Sequence, residues 1–132
     1  MSIKKDSLEF FEAVKFNKTE VVEDILKISK DYLFEFDYFH QTAYHWAAKR
    51  GFKDLLEILI HKGVHVNLYD FNKRTPLFLA ALNNHREICL VLLTYGANPF
   101  LEDKEGKKPV DVTTDGTVKQ LLIKTMEVIY GS

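Results

Sequence analysis

Apolar residues along this chain fall in adjacent pairs, and the pairs come in twos at helical spacing. Leu55-Leu56 is followed by Leu59-Ile60, Val21-Val22 by Ile25-Leu26, and Ile88-Cys89 by Leu92-Leu93. Pairs spaced in this way line one face of a helix. Before each of these segments stands a cluster of small or apolar residues: Ala13-Val14, Ala47-Ala48 or Ala80-Ala81. Between cluster and segment lies Asn17, Gly51 or Asn84, residue types that tolerate the left-handed backbone at which a helix stops. The pattern predicts short antiparallel helices in hairpins. Thr42 and Thr75 open the first helix of two hairpins, where the hydroxyl can accept a bond from an orphan amide of the first turn. Pro76 and Pro109 fall at the first helical position, where a missing N–H does no harm. Gly63 and Gly96 end second helices, and an extended turn then leads to Asp37, Asp70 or Asp103.

The hairpins are copies of one unit. TAYHWAAKRGFKDLLEILIHKGVHVNLYD starts at Thr42, and TPLFLAALNNHREICLVLLTYGANPFLED starts 33 residues later at Thr75. Gly63 then matches Gly96, and Asp70 matches Asp103. Upstream, LEFFEAVKFNKTEVVEDILK follows the same order at an offset of 34, the extra residue falling around Ser29 to Leu33, a loop where an insertion costs little. Downstream, Lys108-Pro109-Val110-Asp111 sits 33 after Thr75-Pro76-Leu77-Phe78. Four units, at about 7–39, 40–72, 73–105 and 106–130, fill the chain behind an N-terminal tail over 1–6 and leave no room for a second domain. The paired alanines belong to helices held between their own partner and the next unit, where a larger side chain would overfill the gap. No unit buries its faces alone, so stability comes from stacking on neighbours.

Two of these hairpins carry a resemblance. The third unit's TP opening, paired alanines, helix break, apolar second helix and GAN ending resemble the ankyrin-repeat pattern, and TAYHWAAKRG in the second unit is similar to it. The resemblance covers about residues 7 to 130, the first and last units resembling degenerate end repeats that cap the stack. It implies an all-α solenoid of about four stacked helix-turn-helix units. The chain departs from the family at several positions. Phe78 and Asp111 replace the usual histidine kept at His45, so the side-chain bond to the turn is expected in the second unit alone. His40 and Lys73 stand where a turn glycine is usual, which Gly106 keeps, so these two turns are expected to be strained or differently shaped. Thr113-Thr114-Asp115-Gly116 replaces the paired alanines and the break, predicting a short first helix and a longer closing helix over 118–130 with Val118, Leu121, Leu122 and Ile129 on its apolar face.

Composition narrows the function. Eighteen basic and 19 acidic residues leave a formal charge of -1, without the surplus of Lys and Arg that nucleic-acid binding needs. The single cysteine, Cys89, cannot form an intrachain disulfide, which suits a reducing, intracellular and cytoplasmic setting. No long uncharged apolar run exists, since Glu57 interrupts even Leu55 to Ile60, so no membrane insertion is expected. Met1 to Asp6 is followed by Glu9 and Glu12 rather than an apolar stretch, unlike a secretory signal.

Candidate chemistry is sparse. Of the five histidines, His40, His45, His61, His65 and His85, only His61 and His65 are close, and Gly63 between them ends a helix with no acidic or thiol ligand nearby. Cys89 lies on an apolar helix face with nothing beside it to lower its pKa. The glycines fall singly at turns, forming no phosphate cradle, and no serine sits in a nucleophile elbow. No enzyme activity, metal or cofactor is therefore expected. Most of the aromatic residues, Phe10, Phe11 and Trp46 among them, are expected in the core.

The ankyrin resemblance also implies where a protein partner sits: on the turn tips and the exposed side of the first helices. Carried over position by position, the tips are Tyr38, Phe39 and Gln41, then Phe71, Asn72 and Arg74, then Lys104, Glu105 and Lys107. The first-helix positions are Lys49 and Arg50, then Leu82 and Asn83, with Lys15 and Phe16 in the first unit. Aromatic and arginine side chains dominate interface hot spots, and Tyr38, Phe39 and Phe71 are aromatic rings on turns expected to face solvent. The basic border of Lys49, Arg50 and Arg74 suggests a partner segment with acidic residues. Four units could cover about 800 Å² per side, the size of a standard interface. The expectation is a monomeric, non-catalytic interaction module. A regulator that inhibits or docks onto an enzyme such as a kinase, or the recognition domain of a larger polypeptide, is the alternative.

Overall fold

A computed structural model describes residues 5–131. Its helices run in the order α1 (Lys5–Lys15), α2 (Thr19–Ile28), α3 (Ala43–Arg50), α4 (Lys53–Lys62), α5 (Pro76–Leu82), α6 (Arg86–Thr94), α7 (Pro109–Val112) and α8 (Gly116–Gly131), and the described residues contain no strand. Lys5 and Asp6 belong to α1, so the expected tail is helical at its last two residues, and the rest of it lies outside the described residues.

Local chemistry sets the helix ends. The Thr42 hydroxyl accepts a bond from the His45 amide at 3.4 Å, and Thr75 accepts one from Phe78 at 3.2 Å. Each satisfies one of the orphan donors of a first turn. The first helices stop in the left-handed region at Asn17 (φ 55), Gly51 (φ 76) and Asn84 (φ 59). Gly51 answers a second demand as well, because a Cβ there would meet the His85 ring at 2.9 Å. At Asn84 the side chain gains a use that glycine lacks. It accepts from the Thr113 hydroxyl at 2.8 Å and the Thr114 amide at 3.1 Å, fastening the third hairpin to the fourth.

The helices make two layers. The first helices α1, α3, α5 and α7 pack side by side, the second helices α2, α4, α6 and α8 do the same, and each first helix rests on the second helix of its own hairpin. Phe10, Phe11, Val14, Tyr44, Leu55, Leu56, Leu77, Ile88, Leu92 and Leu122 fill the seam between the layers. Ala47, Ala48, Ala80 and Ala81 are completely buried, as close stacking of the first helices demands. Ala80→Leu is therefore expected to destabilise the protein by about 1–3 kcal/mol. An unchanged midpoint in urea would contradict the stacking assigned to α5.

The ends of the stack are less regular. The extra residue between the first two units is absorbed in a 3-10 turn at Lys30–Phe34, which drops Leu33 into the core. α7 is a single turn, and the Asp115 carboxylate then starts α8 by accepting the Thr117 amide at 2.8 Å. Val118 and Leu122 are buried and Leu121 packs against the core, but Ile129 is exposed, against expectation. α8 has 16 residues and α6, on which it packs, has 9, so the last turns of α8 run past the stack.

Candidate functional site

Three aspartates build the edge of the stack. Asp37 Oδ1 accepts the amides of Phe39 and Gln41, both at 2.9 Å. Asp70 Oδ1 does the same for Asn72 at 2.9 Å and Arg74 at 3.0 Å, and Asp103 Oδ1 for Glu105 and Lys107, both at 2.9 Å. In each turn the aspartate amide also bonds the carbonyl four residues on, closing a small loop whose tip is the two residues after the aspartate. The turn shape places His40 (φ 60), Lys73 (φ 59) and Gly106 (φ 78) in the left-handed region. The turns at His40 and Lys73 are thus not differently shaped. They keep the geometry of the Gly106 turn and carry a local backbone cost. Lys73→Gly is expected to raise stability by about 0.5–1 kcal/mol, the gain being limited by the freer unfolded chain, and a lower melting temperature would contradict it.

The second oxygens of Asp70 and Asp103 tie neighbouring turns together, and that of Asp37 holds the helix that follows its own turn. Asp37 Oδ2 accepts from the Trp46 indole at 2.8 Å, Asp70 Oδ2 from the Gln41 amide at 3.1 Å, and Asp103 Oδ2 from Arg74 Nε at 3.3 Å. Gln41 and Arg74 occupy equivalent positions, each reaching the aspartate of the following turn. Desolvation pushes the Asp103 carboxyl up, and the bonds from Lys107, Glu105 and Arg74 outweigh it, leaving the group below the ordinary carboxylate value. The Lys104 amide adds a direct bond to the Asn72 carbonyl at 3.0 Å. His45 makes the remaining link: its Nε2 donates to the Arg74 carbonyl at 2.9 Å, and its Nδ1 accepts from the Thr42 amide at 3.1 Å. Without a histidine, the third unit places Phe78 under the Arg74 guanidinium at 5.0 Å. In the fourth, the Asp111 carboxylate accepts the Lys108 amide at 2.8 Å.

On this frame the tip rings face outward. Tyr38 is 66 % exposed, Phe39 67 % and Phe71 58 %. Phe71 is not wholly free, since its ring stacks on His40 at 4.9 Å, and His40 stacks in turn on Phe36 at 3.8 Å. Asn72, Lys104, Glu105 and Lys107 are exposed, with Lys107 and Glu105 paired at 3.7 Å. Gln41 differs from its expected place at a solvent-facing tip. It is buried, because its amide is spent on Asp70 and on Lys49 Nζ at 3.1 Å. Arg74 is half-buried for the parallel reason, its ion pair with Asp103.

The first-helix positions form a strip beside the tips. Lys15 and Lys49 are half-buried, while Phe16, Arg50, Leu82 and Asn83 are exposed. Asn83 turns its side chain back onto the Leu79 carbonyl at 2.8 Å. Lys49 Nζ lies 3.7 Å above the Trp46 ring, Lys15 Nζ 4.8 Å and the Arg50 guanidinium 5.3 Å. Trp46 is buried in the core, as its residue type predicts, and the aspartates are residues to which local sequence pattern alone gives no role. Their recurrence at 33 residues, with Gln41 and Arg74 each standing four positions after one aspartate and reaching the next, is the signal that marks them.

Cys89 is buried in the core, where desolvation pushes its thiol up to about 12. Among the described residues no group of three or more His, Cys, Asp and Glu converges to hold a metal, and no helix is long and apolar enough to cross a membrane.

Comparison with known proteins agrees with this architecture. A family model described as ankyrin repeats in three copies matches residues 10–103. An ankyrin and IPT/TIG repeat-containing protein of Schizosaccharomyces pombe is 29% identical over 120 residues, which is 89% of this chain and 10% of that protein. Human BCL-6 corepressor-like protein 1 is 32% identical over 90 residues, covering 68% of this chain and 5% of its own length. Protein phosphatase 1 regulatory subunit 12A of Mus musculus is 34% identical over 74 residues, 56% of this chain and 7% of its own. The chain spans a tenth or less of each of these relatives.

Proposed function

Since the chain belongs to the ankyrin-repeat family, whose members are protein–protein interaction modules, we propose that it holds a protein partner along the turn tips and the adjoining side of the first helices. The observation that carries this reading is the exposure of Tyr38, Phe39 and Phe71 on turns that the aspartates hold rigid. Large rings kept in water by a fixed backbone need little ordering on contact, which is what a hot spot requires. The partner is a protein rather than a nucleic acid, given the formal charge of -1. The chain acts as a monomer without catalysis, in an intracellular setting that keeps its one cysteine reduced.

A second reading has the partner as an enzyme that this chain regulates. It is favoured by one finding, the similarity to a protein named as a regulatory subunit of protein phosphatase 1. Because the matched stretch is a tenth or less of each relative, service as the recognition domain of a larger polypeptide is compatible with either reading. Immobilising the chain and identifying what it retains from a cell extract, beside a variant with all three tip rings replaced by serine, tests the proposal. Partners retained by the native chain and lost by the variant are the expected result, and equal retention by both would overturn it.

A further inference from the structure

The last turns of α1 and α3 bring three cations to one indole. Lys49 Nζ, Lys15 Nζ and the Arg50 guanidinium lie 3.7, 4.8 and 5.3 Å from the Trp46 ring. Basic residues at helix C-termini are favoured by the helix dipole, which explains why each is tolerated there. It does not explain why residues from two different helices converge on one ring, where each repels the others. The indole face offsets part of that repulsion. Lys49 feels the remainder: its pKa is lowered by burial first and then by Arg50, with Lys15 adding to the effect.

The nearest acids do not neutralise the group. None of the three cations makes an ion pair among the described residues. Asp37 and Asp70 draw on Lys49 from a distance, but both carboxylates are already occupied, Asp37 by two amides and Trp46, Asp70 by two amides and Gln41. What Lys49 does bind is the neutral Gln41 oxygen at 3.1 Å. On either side of the cluster an apolar side chain stands in water, Phe16 at 66 % exposure and Leu82 at 41 %. The strip is thus positive at its centre and greasy at its flanks.

We infer that this cluster seats a carboxylate of the partner, and that the segment it recognises is an acidic peptide whose apolar residues lie against Phe16 and Leu82. The inference rests on the interaction reading above and adds the chemistry of the partner to it. A carboxylate entering here forms charge-assisted bonds with Lys15 and Arg50 and relieves the repulsion that Lys49 now carries. A basic or uncharged segment gains neither.

Trp46 is the chain's only tryptophan, so its fluorescence reports occupancy of the site directly. Titration with a short peptide of alternating glutamate and leucine is expected to give a saturable change in that fluorescence, weakened by added salt. The same peptide with glutamine in place of glutamate is expected to give none. Lys15→Gln with Arg50→Gln should weaken the glutamate peptide by about tenfold or more, with helical circular dichroism and melting temperature unchanged. No saturable response up to millimolar peptide, an equal response to the glutamine peptide, or full binding by the double variant would each overturn the inference. A cellular partner lost with the tip rings but kept by Lys15→Gln/Arg50→Gln would also overturn it, leaving the interaction reading intact. A partner kept by both variants would sink that reading first.

Discussion

Replacing Tyr38, Phe39 and Phe71 together by serine is expected to weaken partner binding by at least about a hundredfold, since truncating a hot-spot ring costs about 2 kcal/mol or more, while the fold survives. The two halves of that expectation have separate physical grounds. Binding falls because each ring is more than half exposed and offers apolar area that only a partner can cover. Folding survives because the turns are held by aspartate carboxylates and backbone amides rather than by the rings. Phe71 contributes a stack on His40 at 4.9 Å, so a loss of stability of up to about 1 kcal/mol is compatible with the account. Titration calorimetry against an identified partner and thermal melts of both proteins check the two halves. Unfolding of the variant would show the rings to be braces of the frame.

Acid is expected to remove about 3 kcal/mol of stability through one side chain, His45. Its ring is fully buried, and desolvation lowers its pKa to about 4 from 6.5, against the raising effect of the bond to the Arg74 carbonyl. Between those two values the unfolded chain binds a proton that the folded chain refuses. The contribution is therefore complete above pH 6.5, declines by about 1.4 kcal/mol per pH unit below it, and is gone at pH 4. The geometry supplies the reason for the refusal. Nδ1 accepts the Thr42 amide at 3.1 Å, and a proton on Nδ1 would set two donors against each other. His45 also joins its own hairpin to the next turn, so the loss falls on the joint between the second and third units. Urea denaturation of the native chain and of His45→Gln at pH 7 and pH 4 isolates the effect from carboxylates, which both proteins share. The native chain should lose about 3 kcal/mol more than the variant, and parallel losses would contradict a neutral His45.

The hairpin frame was legible because it depends on short-range rules. Thr42, Thr75, Pro76, Asn17, Gly51 and Asn84 act through their own backbone and the amides of one turn, and the 33-residue period repeats those rules until they agree. The site was legible only in part. Tyr38, Phe39 and Phe71 could be placed outward because the tip is the far end of a tight turn. Gln41, two residues from Phe39, turns inward, and what turns it is an aspartate 29 residues away in the chain. No local pattern shows that pairing. His40 and Lys73 show the same limit from another side: their residue types argue against a left-handed backbone, and two amide bonds to one carboxylate in each turn overrule them. Ile129 fits the helical period of α8, yet period alone does not say where the neighbouring helix ends.

Hydroxyl-radical footprinting of the chain with and without an identified partner tests the central claim most directly, because it reads aromatic side chains one by one. Protection is predicted at Phe16, Tyr38, Phe39 and Phe71, with Tyr95 on the second-helix layer and Tyr130 at the end of α8 labelled as before. Protection confined to Tyr95 and Tyr130, with the tip rings still reactive, would place the partner on the opposite face and contradict it.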